Sequence, residues 1–294
     1  MTAASFRIGV DIGGTKTAAG LVGADGTVVA RDECPTQTDS FAGLLGDICR
    51  LIGPWLPQAD GIGLCAPGYL DPRSGRITLA SNVPALTGTD PAGELSRLTG
   101  RPARLGNDAD AAALAEFRVG AARGWDSVFY LTVSTGIGGG FVSSRGVLTG
   151  HSGAASELGH LVVVPGGRPC GCGNRGCLEM YASGTALAAA GPSGHGAREV
   201  LAAWRAGEET AAGPVREAVG ALARGLAAVT QLLDPEGIVL GGSVAVNNPD
   251  FAEAVESALR EYLQNRRPPV FRLAELGADA GIVGAALLAA GGDG

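Results

Sequence analysis

The sequence predicts an α/β protein built from a duplicated unit, and two observations carry that expectation. The first is a β-branched run, FRIGVDI (6–12), that stops at the turn GGT (13–15) and resumes as AAGLVG (18–23). That is the pattern of a strand, a tight glycine turn and a second strand. The second is its recurrence about 120 residues later, as expected of an internal duplication. There SVFYLTV (127–133) stops at STGIGGG (134–140) and resumes as FVSSRGVLTG (141–150).

The remaining elements follow in order. TVVARDE (27–33) extends the first hairpin as a third strand. SFAGLLGDICRLIGPWL (40–56) repeats its apolar residues at helical spacing, with Asp39 or Ser40 as cap and Pro57 beyond. GIGLCAP (61–67) reads as a buried strand, and NDADAAALAEFRVGAA (107–122) as a helix with a polar head. Long helices at about 214–233 and 249–266 bracket a buried strand, GIVLGG (237–242). Arg266 and Arg267 fall at the end of the second of these helices, which Pro268 and Pro269 stop. DAGIVGAALLAAG (279–291) closes the chain as a small-residue helix. The expected division is an N-terminal α/β domain over 1–106 and a larger C-terminal one over 107–279, with a closing helix of about 280–294 packing back on the first.

The bulk numbers agree with two ordinary domains: 294 residues, 46% hydrophobic and 17% charged. A net charge of −7 supplies no basic stripe for a phosphate backbone, so no nucleic-acid partner is expected. No apolar run is long enough to span a bilayer, and no membrane partner is expected either. Asp11 and a turn stand where a signal peptide would need its apolar stretch, so the expected location is the cytoplasm. In that reducing setting, clustered cysteines are metal ligands rather than disulfides.

The glycine turns are where chemistry is expected. DIGGTKT (11–17) is not a P-loop, because the frame from Gly9 puts Thr15 where the lysine belongs. GIGLCA (61–66) is not a dinucleotide fingerprint, because Pro67 and Gly68 follow where a helix must start. Successive glycines nevertheless let backbone N–H groups converge on phosphate oxygens, and a carboxylate beside the turn, Asp11, can hold a Mg²⁺ hydration shell. Asn107 and Asp108 open a helix, so one of them caps it, while Asp108 is placed to accept a proton from a substrate hydroxyl.

The segment HLVVVPGGRPCGCGNRGCLE (160–179) holds one imidazole and three thiols, His160, Cys170, Cys172 and Cys177. That set suits tetrahedral Zn²⁺, and with four protein ligands the ion is structural. It pins two carboxylates, Glu157 and Glu179, which flank the ligands in sequence and could receive the vicinal hydroxyls of a sugar. Cys34, Cys49 and Cys65 are isolated and read as core residues.

With these residues in place, the sequence resembles the ROK family (repressors, open reading frames and kinases), and within it the bacterial sugar kinases. DIGGTK (11–16) and STGIGGG (134–140) resemble its phosphate motifs, and NDADAAALAE (107–116) its catalytic segment. ELGH (157–160) with CGCGNRGCLE (170–179) resembles its sugar-and-zinc signature. VLGGSV (239–244) is similar to its adenosine-side turn, and DAGIVGAALLA (279–289) to its closing helix. The resemblance implies an actin/hexokinase-like fold, two ribonuclease-H-like α/β domains with an inter-domain cleft. It implies transfer of the γ-phosphoryl of MgATP to a hexose 6-hydroxyl, with Asp108 as base and a structural Zn²⁺. Asn82, Asn107, Glu157, His160 and Glu179 are then sugar contacts. Asp11, Gly13, Gly14, Thr15, Lys16, Thr135, Gly136 and Gly138 serve the metal-bound phosphates, and Gly241 and Gly242 the adenosine side. The resemblance also implies a homodimer or homotetramer.

Glu157 ahead of Gly159 and His160 resembles the glucose-phosphorylating members, so glucose is the first expectation. SNVPALTG (81–88) lacks the tryptophan those kinases carry after the asparagine, and Ser134 stands where many have glycine, as in N-acetylmannosamine kinases. An N-acetylhexosamine (N-acetylmannosamine or N-acetylglucosamine) is therefore the second expectation, with fructose or mannose behind it. The rivals from other classes are a non-catalytic ROK-type regulator, which would carry a DNA-reading module ahead of the first strand, and an actin-like ATPase without a sugar.

Overall fold

The computed structural model describes residues 5–290, which fall into two compact units. The first comprises the described residues of Met1–Gly124, Gly140–Ala155 and Leu276–Gly294, and the second Trp125–Gly139 and Ser156–Glu275. The helix that begins at Asp108 thus falls in the first unit, whereas a boundary at 106/107 would place it in the second.

The first unit opens with β1 (Phe6–Ile12), β2 (Lys16–Gly23) and β3 (Val28–Pro35), joined as an antiparallel meander. Helix α1 (Phe41–Ile52) follows, N-capped by Ser40, whose side chain accepts from the Gly43 N–H at 3.1 Å. It stops short of the expected 56 because Pro54 and Pro57 cannot continue an α-helix, and residues Gly53–Gln58 tighten into 3₁₀ turns. Strand β4 (Ala59–Ala66) runs parallel to β1. A short ribbon, β5 (Tyr69–Leu70) and β6 (Ile77–Leu79), leads to α2 (Pro91–Thr99), β7 (Ala103–Asn107) and α3 (Asp108–Arg118). The main sheet has the order β3-β2-β1-β4-β7.

The second sheet repeats that plan. Strands β8 (Ser127–Val133), β9 (Ile137–Ser143) and β10 (Gly146–Val147) come first, and the chain passes from the second unit into the first within β9. After the metal-ligand segment come α4 (Glu179–Ala182), α5 (Gly184–Ala190), α6 (Ala197–Arg205) and α7 (Glu209–Leu233). Strand β11 (Gly237–Gly241), α8 (Ser243–Val246), α9 (Pro249–Tyr262) and β12 (Val270–Leu273) complete the unit. The order β10-β9-β8-β11-β12 is the first sheet's order, with β8, β11 and β12 parallel. Helix α9 ends at Tyr262 rather than 266; Arg266 lies beyond it and donates to the Thr230 carbonyl and to Asp234, at the C-terminus of α7.

The last helix, α10 (Ala280–Ala289), belongs to the first unit and is apolar all round, which suits a helix buried over Ile282–Ala286. Strand alternation explains its seat. Ile8, Val10 and Ile12 of β1, with Ile62 and Leu64 of β4, share one core with Leu44 and Ile48 of α1. The intervening residues face α10, and there the strands carry Gly9 and Gly63. A methyl on Gly63 would lie 1.6 Å from the Ala285 carbonyl oxygen, and one on Gly9 1.9 Å from that of Ile282. Gly284, on α10 itself, lies as close to Ala111 of α3. The closing helix therefore lies against bare backbone, and the same side of the sheet presents Asp11 and Cys65 beside its first turn.

Candidate functional site

In the first unit the β1–β2 hairpin ends in the turn Gly13-Gly14-Thr15. The Gly13 N–H donates to the Lys16 carbonyl at 2.9 Å, and Thr36 pins the turn from outside, donating its hydroxyl to the Gly13 carbonyl at 2.8 Å. Buried Thr17 meets the same Thr36 hydroxyl at 2.9 Å. Among the described residues, the N–H groups of Gly14 and Thr15 have no acceptor, so the turn offers successive donors outward. Asn82 lies against Gly14: a β-carbon there would be 3.4 Å from the asparagine's own. Lys16 is turned to Glu33, with Nζ 3.0 Å from its carboxylate, on the exposed side of the hairpin. The bracing threonine at 36 was not singled out from the sequence, and its place right after β3 was the available signal.

Asp11, just before this turn, lies within reach of the charge of a second carboxylate, Asp108. Burial pushes the Asp11 carboxyl up to about 6, the negative charge of Asp108 adds to the rise, and the Cys65 thiol, Lys16 and Arg31 oppose it. Burial also raises Asp108 above the ordinary carboxylate range, against the N–H donation of Ala109. Asn107 takes the cap of α3, its Oδ1 accepting from Ala109 at 2.8 Å and Asp110 at 3.2 Å, while its Nδ2 donates to the Gly68 carbonyl at 3.2 Å. With the cap filled by its neighbour, Asp108 is not the residue the helix needs for its start.

In the second unit the corresponding turn is Ser134-Thr135-Gly136. Its carbonyls are held from α5: Gly184 N–H donates to Ser134 at 2.7 Å, and the Thr185 hydroxyl to Thr135 at 2.9 Å. Glu179 holds its far end, Oε2 accepting the Ile137 N–H at 2.8 Å. The N–H groups of Thr135 and Gly136 have no acceptor among the described residues, repeating the first turn. Gly138 lies just beyond, in β9. Gly242 has φ +83, and a β-carbon there would sit 2.2 Å from the Val133 carbonyl oxygen, so only glycine lets β11 turn this close to β8. Gly241 faces the Tyr130 hydroxyl in the same way, and Ser243 beyond it meets the Ser134 hydroxyl at 3.4 Å.

The ligand set predicted from the sequence comes together. The candidate donor atoms of His160, Cys170, Cys172 and Cys177 all lie within 4.8 Å of one another. Cys172 Sγ and Cys177 Sγ are 3.6 Å apart, and Cys170 Sγ is 3.7 Å from His160 Nδ1. Tetrahedral zinc–thiolate bonds imply ligand–ligand edges of roughly 3.8 Å, so the residues fit such an ion. Gly173 (φ +92) and Gly176 (φ +87) make the reversals that return Cys177 to the cluster. Arg168 ties the loop to the unit: its guanidinium lies 4.6 Å over the Tyr181 ring, and it donates to the Met180 carbonyl at 2.9 Å and to Glu217 of α7 at 2.6 Å. Nothing in the sequence pattern marked that clamp. Glu157 precedes the 3₁₀ turn Leu158–His160, and its carbonyl accepts the His160 N–H at 3.0 Å.

Comparison with known proteins adds an independent measure. A model of the ROK family matches residues 7–291. The N-acetylmannosamine kinase of Citrobacter koseri is 38% identical over 294 residues, covering 97% of this chain and 98% of its own. Among solved structures, a ROK hexokinase from Thermus thermophilus is 40% identical with a TM-score of 0.88, over 97% of this chain and 98% of its own. A ROK glucokinase from Streptomyces griseus, solved with glucose and AMPPNP, is 32% identical with a TM-score of 0.79, over 98% and 100%.

Proposed function

The chain belongs to the ROK family, and on that premise we propose that it transfers the γ-phosphoryl of ATP to the 6-hydroxyl of a hexose, with N-acetylmannosamine as the best-fitting acceptor. It has the actin/hexokinase-like fold expected from the sequence, and it is a sugar kinase.

The observation that carries the mechanism is Asp108, a carboxyl at a strand-to-helix junction with its proton affinity raised by burial and its capping duty taken by Asn107. The 6-hydroxyl gives its proton to Asp108 as its oxygen bonds to the γ-phosphorus. The bond to the β–γ bridging oxygen breaks, and ADP leaves. The outward N–H groups of Gly14 and Thr15, and of Thr135 and Gly136, donate to phosphate oxygens. Mg²⁺, when bound, neutralises the phosphate charge, and Asp11 would hold its water shell; a cation there would relieve the repulsion from Asp108. Asn82, Asn107, Glu157, His160 and Glu179 receive the sugar hydroxyls, Gly241 and Gly242 the adenosine side, and the cluster of His160, Cys170, Cys172 and Cys177 a structural Zn²⁺.

The order of acceptors reverses the first expectation. N-acetylmannosamine is favoured by the relative at 38% identity, by Ser134, and by the missing tryptophan after Asn82. Glucose stands second, favoured by Glu157-Leu158-Gly159-His160 and by the likeness to the Streptomyces glucokinase. A coupled assay of ADP release over a panel of hexoses tests this, with the highest kcat/KM expected for N-acetylmannosamine. A higher value for glucose would restore glucose as the acceptor, and ATP consumption indifferent to every hexose would remove the kinase reading.

A further inference from the structure

Glu179 stands two residues after the ligand Cys177, and the sugar reading uses it as a hydroxyl acceptor. Its carboxylate is already engaged elsewhere. Oε2 accepts the Ile137 N–H at 2.8 Å, and a methyl on Gly136 would lie 2.7 Å from that same oxygen. The turn Ser134-Thr135-Gly136 is therefore gripped at both ends by one short stretch of chain. Gly184 and Thr185 hold the Ser134 and Thr135 carbonyls, and Glu179 holds the amide that starts β9. With those groups tied down, the amides left over are Thr135 and Gly136, the pair that would meet phosphate oxygens.

We propose that Glu179 is a positioning residue for the phosphate turn, a strut through which the cysteine loop sets the direction of the Thr135 and Gly136 N–H groups. The proposal rests on the reading of that turn as a phosphate site. A charge-assisted hydrogen bond from a backbone N–H to a carboxylate is stronger than a neutral one, so its loss frees the Ile137 amide and the turn with it. The cysteine loop then serves the nucleotide as well as the sugar: its fold fixes Cys177, Cys177 fixes the start of α4, and the first residue of α4 holds the turn.

The test measures binding of Mg-AMPPNP by calorimetry in the absence of any sugar, on the zinc-loaded protein. Glu179→Ala is expected to weaken binding by tenfold or more with zinc content unchanged, and to raise KM for ATP at saturating hexose. Glu179→Gln keeps an oxygen that can accept from Ile137 and is expected to stay within about threefold of the parent. Gly136→Ala attacks the same contact from the turn side. Because removal of the carboxylate makes room for that methyl, the double variant Gly136→Ala/Glu179→Ala is expected to bind no more weakly than Glu179→Ala alone. Parent-like nucleotide binding by Glu179→Ala, with only sugar affinity reduced, would overturn the proposal and leave Glu179 a sugar contact alone. Additive losses in the double variant would overturn it independently. Failure of the parent itself to bind Mg-AMPPNP would instead remove the phosphate reading of the turn.

Discussion

The Cys65 thiol lies 3.5 Å from Asp11 Oδ1 and at the same distance from the Gly281 carbonyl, so its single proton is shared between a carboxylate and the first turn of the closing helix. The pairing follows from register, since Asp11 and Cys65 are partners on the parallel strands β1 and β4 and face the same side. Asp11 thus sits where burial and the Asp108 charge oppose its ionisation, and the weak Cys65 donor with the charges of Lys16 and Arg31 offsets them only in part. Its folded-state carboxyl at about 6 lies above its ordinary 3.8, so between those values the folded chain binds more protons than the unfolded one. Stability on this account is full below pH about 4 and falls as pH rises to about 6. Asp11→Asn removes the penalty. In magnesium-free buffer it should gain roughly 3 kcal/mol at neutral pH and nothing near pH 3.5. Urea unfolding across that range checks the sign; a variant less stable than the parent at neutral pH would contradict the picture. Its turnover with MgATP should fall.

Asp108 differs in what its raised proton affinity is for. Asp108→Asn keeps the polar shape of the side chain and removes the base, so kcat should drop by about 10²–10⁴-fold while hexose affinity stays within a few-fold. The parent's kcat should be lost as pH falls, with the acid limb displaced above the ordinary carboxylate range in the direction that burial sets. Near-normal turnover in the variant would take Asp108 out of the base role.

The cysteine loop should carry about one zinc per chain, because four donors in tetrahedral reach leave no reason for a second. Cys177 is buried and Cys172 exposed, so Cys177→Ser should cost more metal and more thermal stability than Cys172→Ser. Elemental analysis with calorimetric unfolding after chelation checks both, and a folded, zinc-free protein with unchanged melting would sink the ligand assignment.

The duplicated strand–turn–strand pattern was legible because it is local: a glycine turn between β-branched runs needs no distant partner to be recognised. The ligand spacing was legible for the same reason. What sequence could not show was contact across the fold. Thr36 bracing Gly13, Arg168 clamping the cysteine loop, and Glu179 reaching Ile137 all join residues whose neighbourhood is set by the folded chain and not by spacing. The end of α1 departs from its apolar spacing where prolines intervene, and the edge strand β12 and helix α2 carry too little periodicity to stand out.

One substitution tests that distinction, because glycine-to-alanine should act with opposite sign at two sites. Gly46 lies mid-helix in α1 with open space around its α-carbon, so Gly46→Ala should stabilise by about 0.5–1 kcal/mol through backbone entropy and propensity. Gly63 meets the α10 backbone at a distance no methyl can share, so Gly63→Ala should cost about 3 kcal/mol or more, or abolish soluble expression. Denaturant titration of the pair reads both signs; a benign Gly63→Ala would mean that α10 does not lie on β4 as described.

Ser156 makes the last test, because it combines a left-handed backbone (φ +64) with a buried hydroxyl that has no hydrogen-bond partner among the described residues. Either feature is a cost for a serine, of the order of 1 kcal/mol for the backbone and similar for the orphaned hydroxyl. Glycine is free in that region, though it loses more entropy on folding. Ser156→Gly should therefore raise stability by up to about 1 kcal/mol, while Ser156→Ala, which removes the hydroxyl and keeps the β-carbon, should gain only the hydroxyl's share. The residue immediately precedes Glu157, so the same variants should be assayed for hexose KM. Unchanged KM with the expected gain makes the serine a tolerated cost. A rise in hexose KM in both variants would mean that its hydroxyl faces the substrate and is satisfied only there.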